Sequence, residues 1–425
     1  MRYHAFRGAA SVPALLVAMI PLVSEGAPPT SLSLRDALTL TRQSNAAIRA
    51  AGELAASMGA RAGDAGRRTN PTLALTHENF GGGLGNGRAE TGLSITQPLG
   101  WGGARGAARG RGRAEAAVAR AAAAVIEREE LARTAELFLD GWAIQEKLIH
   151  LRQAEAVAGL AVEAATERAR AGAGAPHERL RAETALAIRS LERRKLETAA
   201  ENARRRLASR WGAALSPPDT LRLPESVPPA PPPLDSLLAN LDLHPSKERA
   251  RAEEAAASWR IREASALTSL DIGVEFGVKR LEEAGATGFT AGLTTSLPIL
   301  NRHRGSKLGA RSELRAAEAT SEATSAGLRA EVIAARRTLE AALAAWDEAR
   351  SRVGPVAREA LRLVTAGFRA GRLGYLELLD GERSVLEANL LLVEQHAEAW
   401  RAATQLELLV GAERDVTTLN PEESR

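Results

Sequence analysis

The chain carries one plan twice, and that duplication limits its fold more than any single motif does. Gly92-Leu93-Ser94-Ile95-Thr96-Gln97-Pro98-Leu99 leads into a Gly/Arg-rich stretch and a long helical run. Gly292-Leu293-Thr294-Thr295-Ser296-Leu297-Pro298-Ile299 does the same in the second half. Further on, Arg170-Ala171-Gly172 precedes a run ending at Trp211-Gly212-Ala213, and Arg369-Ala370-Gly371 precedes one ending at Val410-Gly411-Ala412. These landmarks keep a nearly constant offset, the signature of a structural repeat. Between the copies, 216–233 holds eight prolines, so it cannot be helical and reads as an extended linker. The division is a first repeat at 28–215, the linker at 216–233, a second repeat at 234–412 and a tail at 413–425.

Within each copy the order is helix, two strands, very long helix, glycine break, helix. In the first, 34–68 reads as an amphipathic helix opened by Ser33 with Asp36 three residues on, a capping-box start. From 104 to 170 almost nothing breaks a helix, which makes a rod on the order of 100 Å long. Gly172-Ala173-Gly174-Ala175-Pro176 turns the chain, and 177–210 returns. The second copy repeats this with 307–370, a turn at 371–374 and a return over 375–409. The two helical hairpins span about 104–212 and 307–410. Aromatics are only 3% of the residues, so helices of this composition pack through small side chains. Such hairpins have no interior of their own, and their Leu/Ala stripes must be buried against neighbouring helices.

The strands alternate with period two. In a hairpin over about 271–298, Ile272, Val274, Phe276 and Val278 share one face with Phe289 and Leu293, while Asp271, Gly273, Glu275, Gly277 and Lys279 take the other; 280–287 reads as the loop. In a first hairpin over about 72–98, Leu73 and Leu75 lie across from Leu93 and Ile95, joined by the glycine-rich 81–87. Strands of about 9–11 residues cross a bilayer when tilted. One apolar face and one polar face is the pattern of a barrel wall, lipid outside and water inside. Two hairpins supply four strands, whereas single-chain barrels need roughly eight. An open sheet in lipid leaves unpaired edge amides, each costing about several kcal/mol. Copies of the chain must therefore close the barrel together, in a cyclic assembly whose number this reasoning leaves open. The competing readings are two ordinary hairpins on a globular surface, and an exported coiled-coil scaffold that bridges envelope components without a pore.

At the N-terminus, Arg2 and Arg7 precede an apolar run over 9–23 that ends in small residues. This reads as a secretory signal peptide, 1–27, because the run is shorter than the roughly 20 residues a span requires. No later segment could be a transmembrane helix. There is no cysteine, hence no disulfide and no lipidated cysteine. The formal charge of +4 is interleaved along the helices, and a nucleic-acid partner would want a concentrated basic face. Seven scattered histidines form no metal-ligating set, the glycine-rich 81–87 lacks the ending of a phosphate loop, and no nucleophile–base set is present. The expectation is a non-enzyme with no catalytic residue, cofactor or bound metal.

The duplicated helix–hairpin–long-helix plan resembles the TolC outer-membrane efflux family over essentially the whole mature chain. Ala370-Gly371-Arg372-Leu373-Gly374-Tyr375-Leu376-Glu377-Leu378-Leu379-Asp380 looks like that family's periplasmic tip motif, and Ala171-Gly172-Ala173 begins a more degenerate first-repeat partner. The resemblance implies a mainly α fold: long-helix hairpins in a periplasmic α-barrel, with four strands per chain completing a trimeric 12-stranded outer-membrane β-barrel. It implies, as partners, two sister copies, outer-membrane lipid, a periplasmic membrane-fusion adaptor at the tips and an inner-membrane pump of the RND type. Gly172, Ala173, Gly371, Arg372, Leu373, Gly374 and Tyr375 would form the adaptor-contacting tip, with Leu373, Tyr375 and Leu376 as apolar knobs. Arg369, Glu377 and Asp380 would supply polar contacts at the aperture. Gln97-Pro98-Leu99-Gly100-Trp101-Gly102-Gly103-Ala104-Arg105 and the matching 298–305 are similar to the cation-efflux branch, which serves heavy-metal pumps. A lysine is more usual where Ala104 stands. The implied function is a passive conduit for heavy-metal cations, with drugs or other small molecules as the alternative cargo.

Overall fold

The computed structural model describes residues 31–78, 89–100, 103–172, 175–212, 217–269, 271–282 and 284–411. The expected signal peptide, the glycine-rich loop 81–87, Ala173 and the tail 413–425 lie outside the described residues.

The first repeat opens with β1 (Ser31–Ser33), α1 (Leu34–Ser44) and α2 (Ala46–Asp64). Ser33 and Asp36 form the expected capping box, but the single helix expected over 34–68 is two helices. Asn45 breaks it: its backbone is extended and its Oδ1 accepts from the Ala47 and Ile48 N–H groups, which starts α2 afresh. The hairpin β2 (Thr72–Glu78) and β3 (Glu90–Pro98) follows, then α3 (Ala104–Arg170) and α4 (Pro176–Ala208). At 67 residues, α3 is about 100 Å long.

The proline-rich 216–233 is no free tether. It carries β4 (Thr220–Arg222), which pairs in parallel with β1 and buries Leu221 beside Leu32. Gln145 on α3 closes the edge of this segment, donating to the Leu221 carbonyl and accepting its N–H, both at 2.9 Å. Prolines excluded a helix but not docking, because alternate residues of an extended segment still reach the core.

The second repeat continues with α5 (Leu234–Asn240), α6 (Pro245–Ala266), β5 (Ile272–Leu281), β6 (Ala286–Thr295), α7 (Arg304–Glu348), α8 (Gly354–Arg369) and α9 (Tyr375–Val410). The strands run into the expected loop, leaving a tighter connection than 280–287. The helix expected over 307–370 starts earlier and is interrupted by a π turn at Ala349–Val353. Pro355 follows at once; lacking an N–H, it cannot continue an α ladder, and the turn widens to admit it.

Near the sheet, α2, α3, α6 and α7 lie side by side; farther away the order is α4, α3, α9, then α7 and α8. Cores form where α3 and α9 meet the shorter elements, around Phe138, Leu139, Leu207 and Trp400, and around Val332, Leu339 and Leu406. The outermost helices stay open, with Ile188 and Leu191 of α4 and Val356 and Leu363 of α8 all exposed.

Candidate functional site: the four-stranded sheet and the helical tips

The two hairpins join into one antiparallel sheet in the order β2-β3-β5-β6. Its register aligns the alternating residues into rows across all four strands. Leu75, Leu93, Val278 and Phe289 form one row, and Leu73, Ile95, Phe276 and Ala291 the next. Val274 pairs with Leu293, and Ile272 with Thr295. This apolar face is bare: Phe289 is 89% exposed, Leu293 78% and Leu75 74%. Ile272 and Val274 are half-buried, and Phe276 is exposed; none enters a core of the chain.

The reverse face is polar. Thr72, Thr96, Glu275 and Gly292 align, as do Thr76, Gly92, Lys279 and Gly288. Lys279 ion-pairs with Glu78 at 3.3 Å and with Glu90 across the strands. Glycine recurs here for room. A Cβ on Gly277 would stand 2.8 Å from the Leu93 carbonyl oxygen, so this side is crowded, as the concave side of a curved wall is. The outer strands β2 and β6 each pair on one side only. No helix among the described residues is long and apolar enough to cross a membrane.

At the other end, both helical hairpins reverse at a glycine in the left-handed region, Gly172 with φ +67° and Gly371 with φ +70°. The Gly172 N–H donates to the Ala169 carbonyl and the Gly371 N–H to that of Phe368, equivalent closures in the two repeats. Arg372, Leu373 and Leu376 are exposed, with Leu373 lying over Gly367. Gly374 N-caps α9 beneath the Glu377 carboxylate.

Tyr375 is not an exposed knob. It is 8% exposed, packed between the hairpins against Ala165 and Ala182, with the Phe368 ring 6.4 Å away. Its hydroxyl is buried without a hydrogen-bond partner, and burial, aided by Glu382 and Glu178, raises its pKa. Tyrosine read as a contact residue because one strand of sequence cannot show that the other repeat's tip covers it. Phe368, with the Arg168 guanidinium 5.6 Å over its ring, completes this inter-repeat contact and went unnoticed in the sequence. Arg369, Glu377 and Asp380 are exposed and make no ion pair with one another.

Residues 236–412 match the family described as outer membrane efflux protein. The chain is 25% identical over 316 residues to the cobalt-zinc-cadmium resistance protein CzcC of Cupriavidus metallidurans, spanning 74% of this chain and 75% of that protein. Its fold is similar to that of CusC, solved in a study of transmembrane channel formation, with a TM-score of 0.78 at 15% identity over 95% of this chain and 98% of that one. It is similar also to the outer membrane protein VceC of Vibrio cholerae, with a TM-score of 0.74 at 18% identity over 89% and 96%.

Proposed function

From the premise that the chain belongs to the TolC-type outer membrane efflux proteins, we propose that it is the passive outer-membrane conduit of a tripartite system exporting heavy-metal cations. The observation that carries the conduit is the sheet: apolar rows of Leu75, Leu93, Val278 and Phe289 and of Leu73, Ile95, Phe276 and Ala291 on one face, a polar reverse face and two free edges in one chain. Lipid covers the first, water the second, and sister copies the third. The ring holds three chains, as the family resemblance implies. The exposed α4 and α8 edges meet in the same ring, so the helices form a wet tube continuous with the barrel. At its far end, Gly172, Gly371, Arg372, Leu373 and Leu376 offer a turn surface to a periplasmic adaptor that links the tube to an inner-membrane pump. Arg369, Glu377 and Asp380 remain free to pair between copies around the aperture. The cation cargo is supported by the likeness to the cobalt-zinc-cadmium resistance protein. A conduit needs no tight metal site, which would slow passage.

Two measurements test this. Protein solubilised from the outer-membrane fraction should have the mass of three chains in detergent, and a soluble single chain would end the conduit reading. Deleting the gene should sensitise cells to cobalt, zinc or cadmium. Sensitivity to drugs alone would reassign the cargo and leave the conduit standing.

A further inference from the structure

We infer that the seam between neighbouring copies reproduces, in a fixed register, the joint that β3 and β5 make inside each copy. In that seam β6, extended through 296–300, pairs antiparallel with β2 of the next copy, Leu297 opposite Leu75 and Ile299 opposite Leu73. This rests on the proposed ring and adds which residues close it.

The register comes from the duplication. Leu73 pairs with Ile95 in the first hairpin as Ile272 pairs with Thr295 in the second, so Ile272 is the counterpart of Leu73 and Thr295 of Ile95. Each hairpin offers the same two outer rims. One rim of each is joined inside the chain, where Ile95 pairs with Phe276 and Gln97 with Val274. Carrying those pairs to the unjoined rims sets Thr295 opposite His77 and Leu297 opposite Leu75 in the next copy.

Three observations agree with this register. At the joined rim the Leu99 N–H donates to the Ile272 carbonyl at 2.9 Å. Its counterpart, the Ile299 N–H, has no strand beside it and turns back on the Leu297 carbonyl at 2.8 Å. The same position is paired where a neighbour exists and folded on itself at the open edge. Second, the register sets exposed Leu297 and Ile299 on the apolar face with exposed Leu75 and Leu73, whereas a one-residue slip would turn them toward water. Third, Pro98 faces Gly273 between hydrogen-bonded pairs, where no N–H is needed, and Pro298 falls at the same kind of site opposite Ala74.

The helices below the sheet follow the sheet. Arg111 pairs with Glu263 at 3.1 Å across the inner joint, and the matching residues at the seam are Arg311 and Asp64, again of opposite charge. The neighbouring Glu115–Arg260 contact corresponds to Arg315 and Arg61, which are alike in sign. Charge therefore does not set the register; strand pairing does.

A chain without cysteine makes the test direct. Thr76→Cys with Ser296→Cys places one thiol on each side of the seam at a non-hydrogen-bonded pair, where Cα atoms lie about 4.5 Å apart, within disulfide reach. Oxidised in detergent, the full-length double variant should run as covalent dimer and closed ring without reductant and as monomer with it. Thr96→Cys with Glu275→Cys spans the inner joint and should oxidise within one chain, leaving the monomer. Faster linkage by Thr76→Cys with Thr294→Cys, two residues out of step, would overturn the register. A ring-sized mass with no linkage by any seam pair would overturn the seam itself. A single-chain mass would remove the ring on which both depend.

Discussion

His244 occupies in the second repeat the place Asn45 holds in the first: each N-caps the helix that leads to its hairpin. Asn45 uses Oδ1; His244 accepts the Ser246 N–H on Nδ1 at 3.1 Å, which requires a neutral ring. Burial, with Arg128 nearby adding to it, lowers the His244 pKa to about 4. A histidine depressed in the fold takes up its proton more readily when unfolded. Its contribution to stability is therefore complete above about pH 6.5 and falls away as the pH drops toward 4, on the order of 3 kcal/mol in all. His244→Asn keeps a cap without a titrating ring. Its unfolding midpoint, at fixed protein concentration, should lose that part of the slope between pH 7 and 4 while matching the parent at pH 7. Equal slopes in the two proteins would acquit His244. Tyr375 allows a second experiment at this scale. Because its hydroxyl is buried and unpartnered, Tyr375→Phe should leave thermal stability unchanged or raise it by up to about 1 kcal/mol, whereas Tyr375→Ala empties the space between the tips at a cost of about 3 kcal/mol. A loss in the phenylalanine variant as large as in the alanine variant would show that the hydroxyl has a partner.

Among the elements, the sheet shows how period-two alternation becomes a surface. Val274 and Glu275 are neighbours in sequence and lie on opposite faces of the sheet once β5 is paired on both sides. Val274→Arg should cost about 2–4 kcal/mol per chain if the residue lies near the middle of the bilayer, and should deplete the detergent-stable oligomer. Glu275→Arg, on the polar face, should leave oligomer yield within about twofold of the parent, since its cost is no more than about 1 kcal/mol. Equal losses, or none in either, would contradict the assignment of the two faces. The strands were legible in the sequence because a pleated ribbon repeats every second residue, and the long helices because 104–170 holds few breakers. The break at Asn45 and the π turn before Pro355 were harder to read. Each depends on one residue's hydrogen bonding, which averages out over a long periodic window.

At the scale of the molecule, the two layers of the chain are open at both margins: β2 and β6 in the sheet, α4 and α8 among the helices. Buried polar order holds the middle together. Glu130 on α3 takes Asn45 at 3.1 Å, Arg133 at 2.7 Å and Arg210 at the end of α4, tying both ends of the first repeat to its long helix. Duplication, the four alternating strands, the long helical hairpins and their glycine turns all follow from local pattern, and a linear string shows local pattern in full. Tyr375 against the other repeat's tip, Leu221 in a core beside Leu32, and the β3·β5 pairing that makes two hairpins one sheet do not. Each of these joins residues far apart in the chain. Their burial depends on which surfaces meet, and that is settled by packing rather than by periodicity.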